Sequence, residues 1–184
     1  GVQWLRDRMK FFKKAPETEK IIKSLKGNNG IYLVPAFTGL GAPHWNANSR
    51  GVLSGITRDT SPKEIIRATI EAVAFQTYDL FEAMKHDGLR PRIVKVDGGM
   101  VMNNWFSQFL SDVVNVKVLR PKVQETTAAG AAFMAGLKIG IYKSLKDISK
   151  NWQIDKKFSP KMNSKKRNIL IKGWSTNIKR TLIN

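Results

Sequence analysis

Residues 96–106 read VDGGMVMNNWF, in which an acid and two glycines are followed four residues later by two asparagines. The apolar run just before, residues 93–96, is typical of a short strand. The pattern after it, Asn104–Val114, predicts a helix, and residues 116–119 predict another strand. A strand that ends in a glycine turn and leads into a helix and a second strand is a β-α-β unit.

A helix rich in small residues follows this unit. Thr126 or Thr127 is suited to cap it, and the pattern runs to Leu137. Its two glycines, Gly130 and Gly136, predict close backbone packing. The order strand, glycine turn, helix, strand, helix favours an α/β fold with a partly parallel sheet.

Upstream, the clearest helix begins after Ser61. Serine is a favourable N-cap, Pro62 suits the first helical position, and Glu64 completes a capping box. Apolar residues then recur near helical spacing until Gly88, which predicts the end of the helix.

The remaining elements are shorter. Helices are predicted at residues 4–14 and 19–26, the second capped by Thr18, and strands at residues 31–34 and 52–56. After Gly140 the periodicity weakens, and the pattern predicts one or two amphipathic helices.

Composition restricts the classes of function. The chain has 184 residues, is 42% hydrophobic and contains no cysteine, which excludes disulfides and thiolate metal sites. No stretch is long and apolar enough to predict a membrane span, and no signal peptide opens the chain. A cytoplasmic location is expected. Because residue 1 is glycine and the first residues resemble the middle of a helix, we expect that an N-terminal part of a longer protein is missing.

The net charge of +18 has two interpretations. Residues 143–184 contain twelve Lys and Arg against two Asp, so this tail contributes 12 − 2 = +10. Such charge can bind nucleic acid or an anionic membrane, or it can be a solvated lysine-rich surface. We favour the solvated surface, because aromatic residues are not regularly interleaved and no nucleic-acid motif is present.

The glycine turn is a candidate ligand site. In α/β units ligands bind outside the carboxyl ends of the strands, where Gly98 and Gly99 lie. The backbone N–H groups at the start of the next helix suit phosphate or ribose oxygens. Asn103 and Asn104 could hydrogen-bond a base or only cap the helix. The spacing leaves both alternatives open, since it matches neither a dinucleotide fingerprint nor a P-loop.

Four segments resemble, in order and at matching separations, the glycerol kinases of the FGGY family of carbohydrate kinases. They are VPAFTGLGAPHW (34–45), GVLSGITRDTSPKEIIRATIE (51–71), VDGGMVMNN (96–104) and RPKVQETTAAGAAFMAGL (120–137). The first segment favours glycerol kinases over the related pentulose kinases. The resemblance covers about residues 1–142 and weakens in the basic tail.

The resemblance implies an actin-like ATPase fold, of the ribonuclease H-like type. This chain would be most of the second domain, with residues 1–142 as the nucleotide-binding part and residues 143–184 as a basic helical tail. The implied reaction is phosphorylation of glycerol by ATP with Mg²⁺, giving ADP and glycerol 3-phosphate. Gly99 and Asn103 match a glycine and an asparagine that hold the nucleotide, and Gln3 matches a glutamine that contacts it.

Other implications concern what lies outside the chain. In the family, the general base and the glycerol ligands precede this segment, so no catalytic residue is expected here and the isolated chain should be inactive. The implied partners are the missing N-terminal domain, glycerol, ATP and further copies in a homo-oligomer; nucleic acid is not expected. Asp97 would either help to organise phosphate and Mg²⁺ or only cap the turn, and we favour the cap. Met100 and Met102 replace smaller residues, which would alter the fit around adenine.

Three alternatives remain. The chain could belong to another sugar kinase of the FGGY family, or it could be a non-catalytic actin-like scaffold. It could also be a basic module that binds nucleic acid or an anionic surface. The four motifs favour the glycerol kinase.

Overall fold

Along the chain, a small two-stranded sheet precedes a long helix and a three-stranded sheet follows it. The computed structural model describes residues 1–123, 126–150 and 152–183. In chain order the elements are α1 (Val2–Asp7), α2 (Glu17–Lys23), β1 (Tyr32–Val34), β2 (Val52–Ser54), α3 (Pro62–His86), β3 (Ile93–Lys95), a single 3₁₀ turn (Gly99–Met102), α4 (Asn104–Val114), β4 (Lys117–Pro121), α5 (Thr126–Lys138), α6 (Leu145–Lys150), β5 (Ile154–Phe158) and α7 (Ser164–Leu182).

The larger sheet has the strand order β3-β4-β5. β3 and β4 are parallel, with Val94 opposite Val118, and α4 forms the connection between them. This pairing confirms the predicted β-α-β unit. β5 runs antiparallel to β4, with Val118 opposite Phe158. The sequence did not predict β5, because only Phe158 of this strand is buried and no alternation of apolar residues marks it.

Helix α3 is the central element of the core. Its predicted capping box is confirmed, because the Ser61 backbone N–H donates to Glu64 Oε2 at 3.0 Å and the Ser61 side chain accepts from Lys63 N. The helix ends at His86, two residues before Gly88. Helix α4 packs against it, and the rings of Phe75 and Phe109 form a T-shaped pair with 5.6 Å between their centroids.

The C-terminal helix α7 belongs to the same core. Trp174 is fully buried and stacks on Phe75 of α3 at 5.3 Å between ring centroids. Its indole Nε1 donates to Asp79 Oδ2 at 2.9 Å, and His44 Nε2 lies 3.0 Å from the same oxygen. Contacts of the core therefore cross the predicted boundary at residue 142.

Two predictions near the N-terminus are wrong. α1 ends at Asp7 rather than continuing to residue 14, because Lys10 adopts a left-handed backbone conformation and Phe12 turns into the core. Thr18 does not cap α2, because α2 begins at Glu17 and Thr18 lies inside the helix. The Thr18 hydroxyl donates to the Ala15 carbonyl at 2.7 Å.

The predicted close packing at the α5 glycines is wrong for Gly130, where a Cβ would meet nothing within 4 Å. At Gly136 a close approach is present, because a Cβ there would lie 2.8 Å from the Tyr142 ring. The helix begins at Thr126, but the side chains of Thr126 and Thr127 lie outside the described part of the structure. Among the described residues, none of the helices is long and apolar enough to cross a membrane.

Candidate functional site

The turn between β3 and α4 has an unusual backbone at its first glycine. Gly98 has φ 85° and ψ 170°, a conformation open almost only to glycine. Gly99 begins the 3₁₀ turn and has no positive φ. A Cβ at Gly99 would meet nothing within 4 Å, so this residue faces open space. The backbone conformation therefore requires glycine at position 98, whereas neither the backbone nor the described neighbours require it at position 99.

Asn103 caps helix α4. Its Oδ1 accepts a hydrogen bond from the backbone N–H of Phe106 at 2.9 Å, as a helix N-cap does. Its Nδ2 lies 3.4 Å from Thr18 Oγ1, at the outer limit of a hydrogen bond. The Asn103 amide oxygen is therefore used as the helix cap, whereas the amide N–H groups make only a long, weak hydrogen bond to Thr18.

All three sequence-predicted residues line one cleft of about 420 Å³. Gln3 comes from α1, and Gly99 and Asn103 come from the turn that precedes α4. The cleft also receives side chains that the sequence did not single out, notably Arg6 from α1 and Glu19 from α2. No local pattern marks these residues, because they reach the cleft only through the packing of α1 and α2 beside the turn.

The walls of the cleft are largely apolar. Val2, Ile70, Met100 and Met102 line it beside the polar groups. A concave, mostly apolar surface with a few convergent polar groups is typical of a small-molecule site. Such a cleft can accept a flat heterocyclic ring between apolar walls and orient it by hydrogen bonds.

Glu19 ties α2 to the start of α4. Its Oε2 accepts the backbone N–H of Asn104 at 3.1 Å, and its Oε1 accepts from Lys23 at 2.6 Å. Partial burial acts to raise the pKa of Glu19, but the hydrogen bonds from Lys23 and Asn104 outweigh it and leave that pKa below its usual value. Glu19 is therefore a carboxylate at neutral pH, and the N–H of Asn104 is already occupied.

A larger cavity, of about 510 Å³, lies between α3, α4 and the start of α7. None of the three predicted residues lines it. No group of three or more His, Cys, Asp and Glu side chains within the described ranges could hold a metal ion. Asp97 lies between β3 and the turn, and its role as a cap or as a phosphate and Mg²⁺ partner stays a prediction.

Comparison with known proteins identifies the relatives of this chain. It is 50% identical over 98% of its length to "Glycerol kinase 1" of Pseudomonas aeruginosa and 46% identical over 99% to a glycerol kinase of Gluconobacter oxydans. The chain spans about 36% of the length of these relatives. The crystal structure of Plasmodium falciparum glycerol kinase with ADP superposes with a TM-score of 0.88 at 36% identity, over 100% of this chain and 37% of that one.

The likeness in structure confirms the predicted α/β fold of the actin-like ATPase type. A sequence model described as "FGGY family of carbohydrate kinases, C-terminal domain" matches residues 2–139, which is three quarters of the chain. The match begins in α1 and ends after α5, so it includes both sides of the cleft. The chain therefore belongs to the FGGY family of carbohydrate kinases and contains the family's C-terminal domain.

Proposed function

We propose that the chain is the nucleotide-binding part of an ATP-dependent glycerol kinase, which converts ATP and glycerol to ADP and glycerol 3-phosphate. The observation that carries the proposal is the convergence of Gln3, Gly99 and Asn103 on one cleft, although Gln3 and Gly99 are 96 residues apart in the chain. These are the three residues that the resemblance assigns to the nucleotide. The identity with glycerol kinases over nearly the whole chain supports glycerol as the acceptor.

Each residue has a task in this proposal. Gly99, whose missing side chain leaves open space, admits the nucleoside to the turn. The Asn103 amide offers its N–H donors to the nucleoside while its oxygen keeps the helix capped. Gln3 contacts the nucleotide from α1 on the other side of the cleft, and Met100 and Met102 give apolar contact.

Phosphoryl transfer depends on the positioning of two substrates and on neutralisation of the phosphate charge. The described residues include no cluster that fits Mg²⁺, so we assign the ion no ligand in this chain. We likewise assign no catalytic residue here, and propose that the general base and glycerol ligands belong to the remainder of a longer protein. The missing N-terminal domain, the homo-oligomer, the cytoplasmic location and the 1–142 and 143–184 division all stay predictions.

The test is formation of glycerol 3-phosphate from ATP and glycerol by the full-length gene product, with D-xylulose and other sugars as competing acceptors. We expect glycerol to give the highest kcat/KM. The 184-residue chain alone is expected to give no turnover. If the protein phosphorylates a sugar efficiently but does not phosphorylate glycerol, it is instead another sugar kinase of the family.

The proposal makes a specific prediction for Asn103 in the full-length enzyme. Asn103→Ala should raise KM for ATP several-fold and leave kcat nearly unchanged. The rise corresponds to the loss of about 1 kcal/mol of binding free energy, as expected for one neutral hydrogen bond. The contact is with the nucleoside, so it stabilises the ground state and the transition state alike. The measurement is steady-state kinetics with varied ATP at saturating glycerol.

Because Asn103 is also the N-cap of α4, Asn103→Ala should lower stability by about 1 kcal/mol as well. Asn103→Ser is the matched control, since serine caps helices but has no amide. We expect Asn103→Ser to keep the melting temperature near wild type and still raise KM for ATP. A normal KM in both variants, with a lower melting temperature in Asn103→Ala alone, would leave this residue only as a cap.

A further inference from the structure

We propose that Arg120 is a positioning residue for the nucleotide, and that Asp155 holds Arg120 in place. Arg120 fixes the 3₁₀ turn Gly99–Met102, which forms one side of the cleft. This inference rests on the proposed nucleotide-binding function. It adds two residues that do not themselves line the cleft.

The first step is the contact between Arg120 and the turn. Arg120 lies on β4 and is only 5% exposed. Its Nη1 donates to the carbonyl oxygen of Val101 at 2.9 Å and lies 3.3 Å from that of Met102. Both carbonyls belong to the 3₁₀ turn that begins at Gly99. One side chain of the sheet therefore supplies donors to two successive carbonyls of the turn.

The second step is the anchoring of Arg120 itself. Its Nε and Nη2 each lie 2.7 Å from Asp155 Oδ2 on the neighbouring strand β5. A guanidinium is planar and presents its donors in a fixed fork, so a carboxylate on one edge orients the donors on the other. Asp155 lies beyond residue 139, where the family match ends. The basic tail thus supplies the acid that orients Arg120.

The third step is the need for such a support. The turn follows Gly98, whose backbone has few steric limits, so the chain just before the turn does not fix its direction. Carbonyls at the end of a short helix also lack intrahelical partners and need donors from elsewhere. Ser107 donates to Val101 O at 2.8 Å, and just beyond the turn Glu19 accepts the Asn104 N–H. Arg120 adds donors to the two carbonyls at the end of the turn itself.

The test uses Asp155→Asn in the full-length gene product. The Asp155 side chain is 42% exposed, so this substitution should leave the protein folded while weakening the hold on Arg120. We expect KM for ATP to rise about three- to tenfold, because the amide lacks the charge that strengthens both contacts with Arg120. We expect kcat and KM for glycerol to stay within about twofold of wild type. Asp147→Asn, which makes the same charge change beside Lys150 on α6, is the control and should change neither KM.

Arg120→Lys is the second variant. Lysine keeps the positive charge but lacks the planar fork, so it cannot reach the carbonyls and Asp155 in the same geometry. We expect KM for ATP to rise about tenfold, and the dissociation constant for ADP in titration calorimetry to rise in parallel. A purely structural role predicts something different: a lower melting temperature with unchanged KM for ATP and unchanged ADP affinity, which would overturn the inference.

Failure of the proposed function is recognised separately. If the wild-type protein binds ADP but does not phosphorylate glycerol, the acceptor assignment is wrong, and ADP calorimetry on the same variants still decides the role of Arg120. If the wild-type protein does not bind ADP, both proposals are overturned. If the wild type phosphorylates glycerol and the Arg120 and Asp155 variants bind nucleotide normally, only the present inference fails.

Discussion

Replacing Trp174 by alanine is expected to lower the free energy of unfolding by about 3–5 kcal/mol. The indole is fully buried, stacks on Phe75 and donates its N–H to Asp79. Its removal leaves a large cavity beside α3. It also removes a hydrogen-bond donor from the largely buried Asp79 carboxylate, which keeps its contact with His44. The measurement is a urea unfolding curve monitored by circular dichroism, a signal that does not depend on the fluorescence of the removed indole.

Trp45→Ala is the matched control, because Trp45 is 79% exposed. Its expected effect is below about 1 kcal/mol. The pair of variants measures how much the core contacts of α7 contribute to the stability of the chain. If the main unfolding transition of Trp174→Ala coincides with that of wild type, residues 143–184 do not stabilise the rest of the chain.

Gly99→Val is expected to weaken nucleotide binding on the order of a hundredfold while leaving the fold intact. A Cβ at Gly99 meets nothing within 4 Å, and the backbone there needs no positive φ, so valine fits the free protein. The branched side chain would, however, occupy the space that the proposed function assigns to the nucleoside. A loss of this size equals about 3 kcal/mol, as expected for atoms forced into a filled site.

Titration calorimetry with ADP and a melting curve measure the two effects in the full-length gene product. Gly98→Val provides the contrast one residue away. Its side chain would be strained by the positive φ of Gly98, so we expect a loss of about 1–3 kcal/mol in stability. Wild-type affinity for ADP in Gly99→Val would show that the nucleotide does not approach this face of the turn, and would argue against the proposed site.

The sequence alone predicted the elements whose signals are local. The bounds of α4 and the capping box at Ser61 follow from burial patterns and hydrogen bonds within a short stretch of chain. The parallel pairing of β3 with β4 follows from the order of elements, because two strands joined by a helix pair in parallel. The motif VDGGMVMNN was related to nucleotide binding through the family resemblance, since its spacing alone left a ligand turn and a helix cap both open. The family assignment from the four motifs is also confirmed.

Other features could not be read from the sequence because they depend on contacts between distant segments. The pattern gave no sign that Phe12 leaves its predicted helix for the core, or that β5 joins the sheet with only Phe158 buried. The backbone angles at the turn also decided that Gly98, rather than Gly99, carries the conformational demand. Local periodicity indicates which residues are buried, but it does not indicate which other segments of the chain they pack against.

The candidate site divides in the same way. The sequence, through the family resemblance, named Gln3, Gly99 and Asn103, but only the tertiary structure placed them in one cleft. Only the structure set Arg120 behind the turn and Asp155 beside Arg120. The physical reason is that a helix cap is made by neighbours in the chain, whereas a cleft is the space left when α1, α2 and the turn pack together. Its shape therefore depends on contacts between distant parts of the chain, which no short stretch of sequence records.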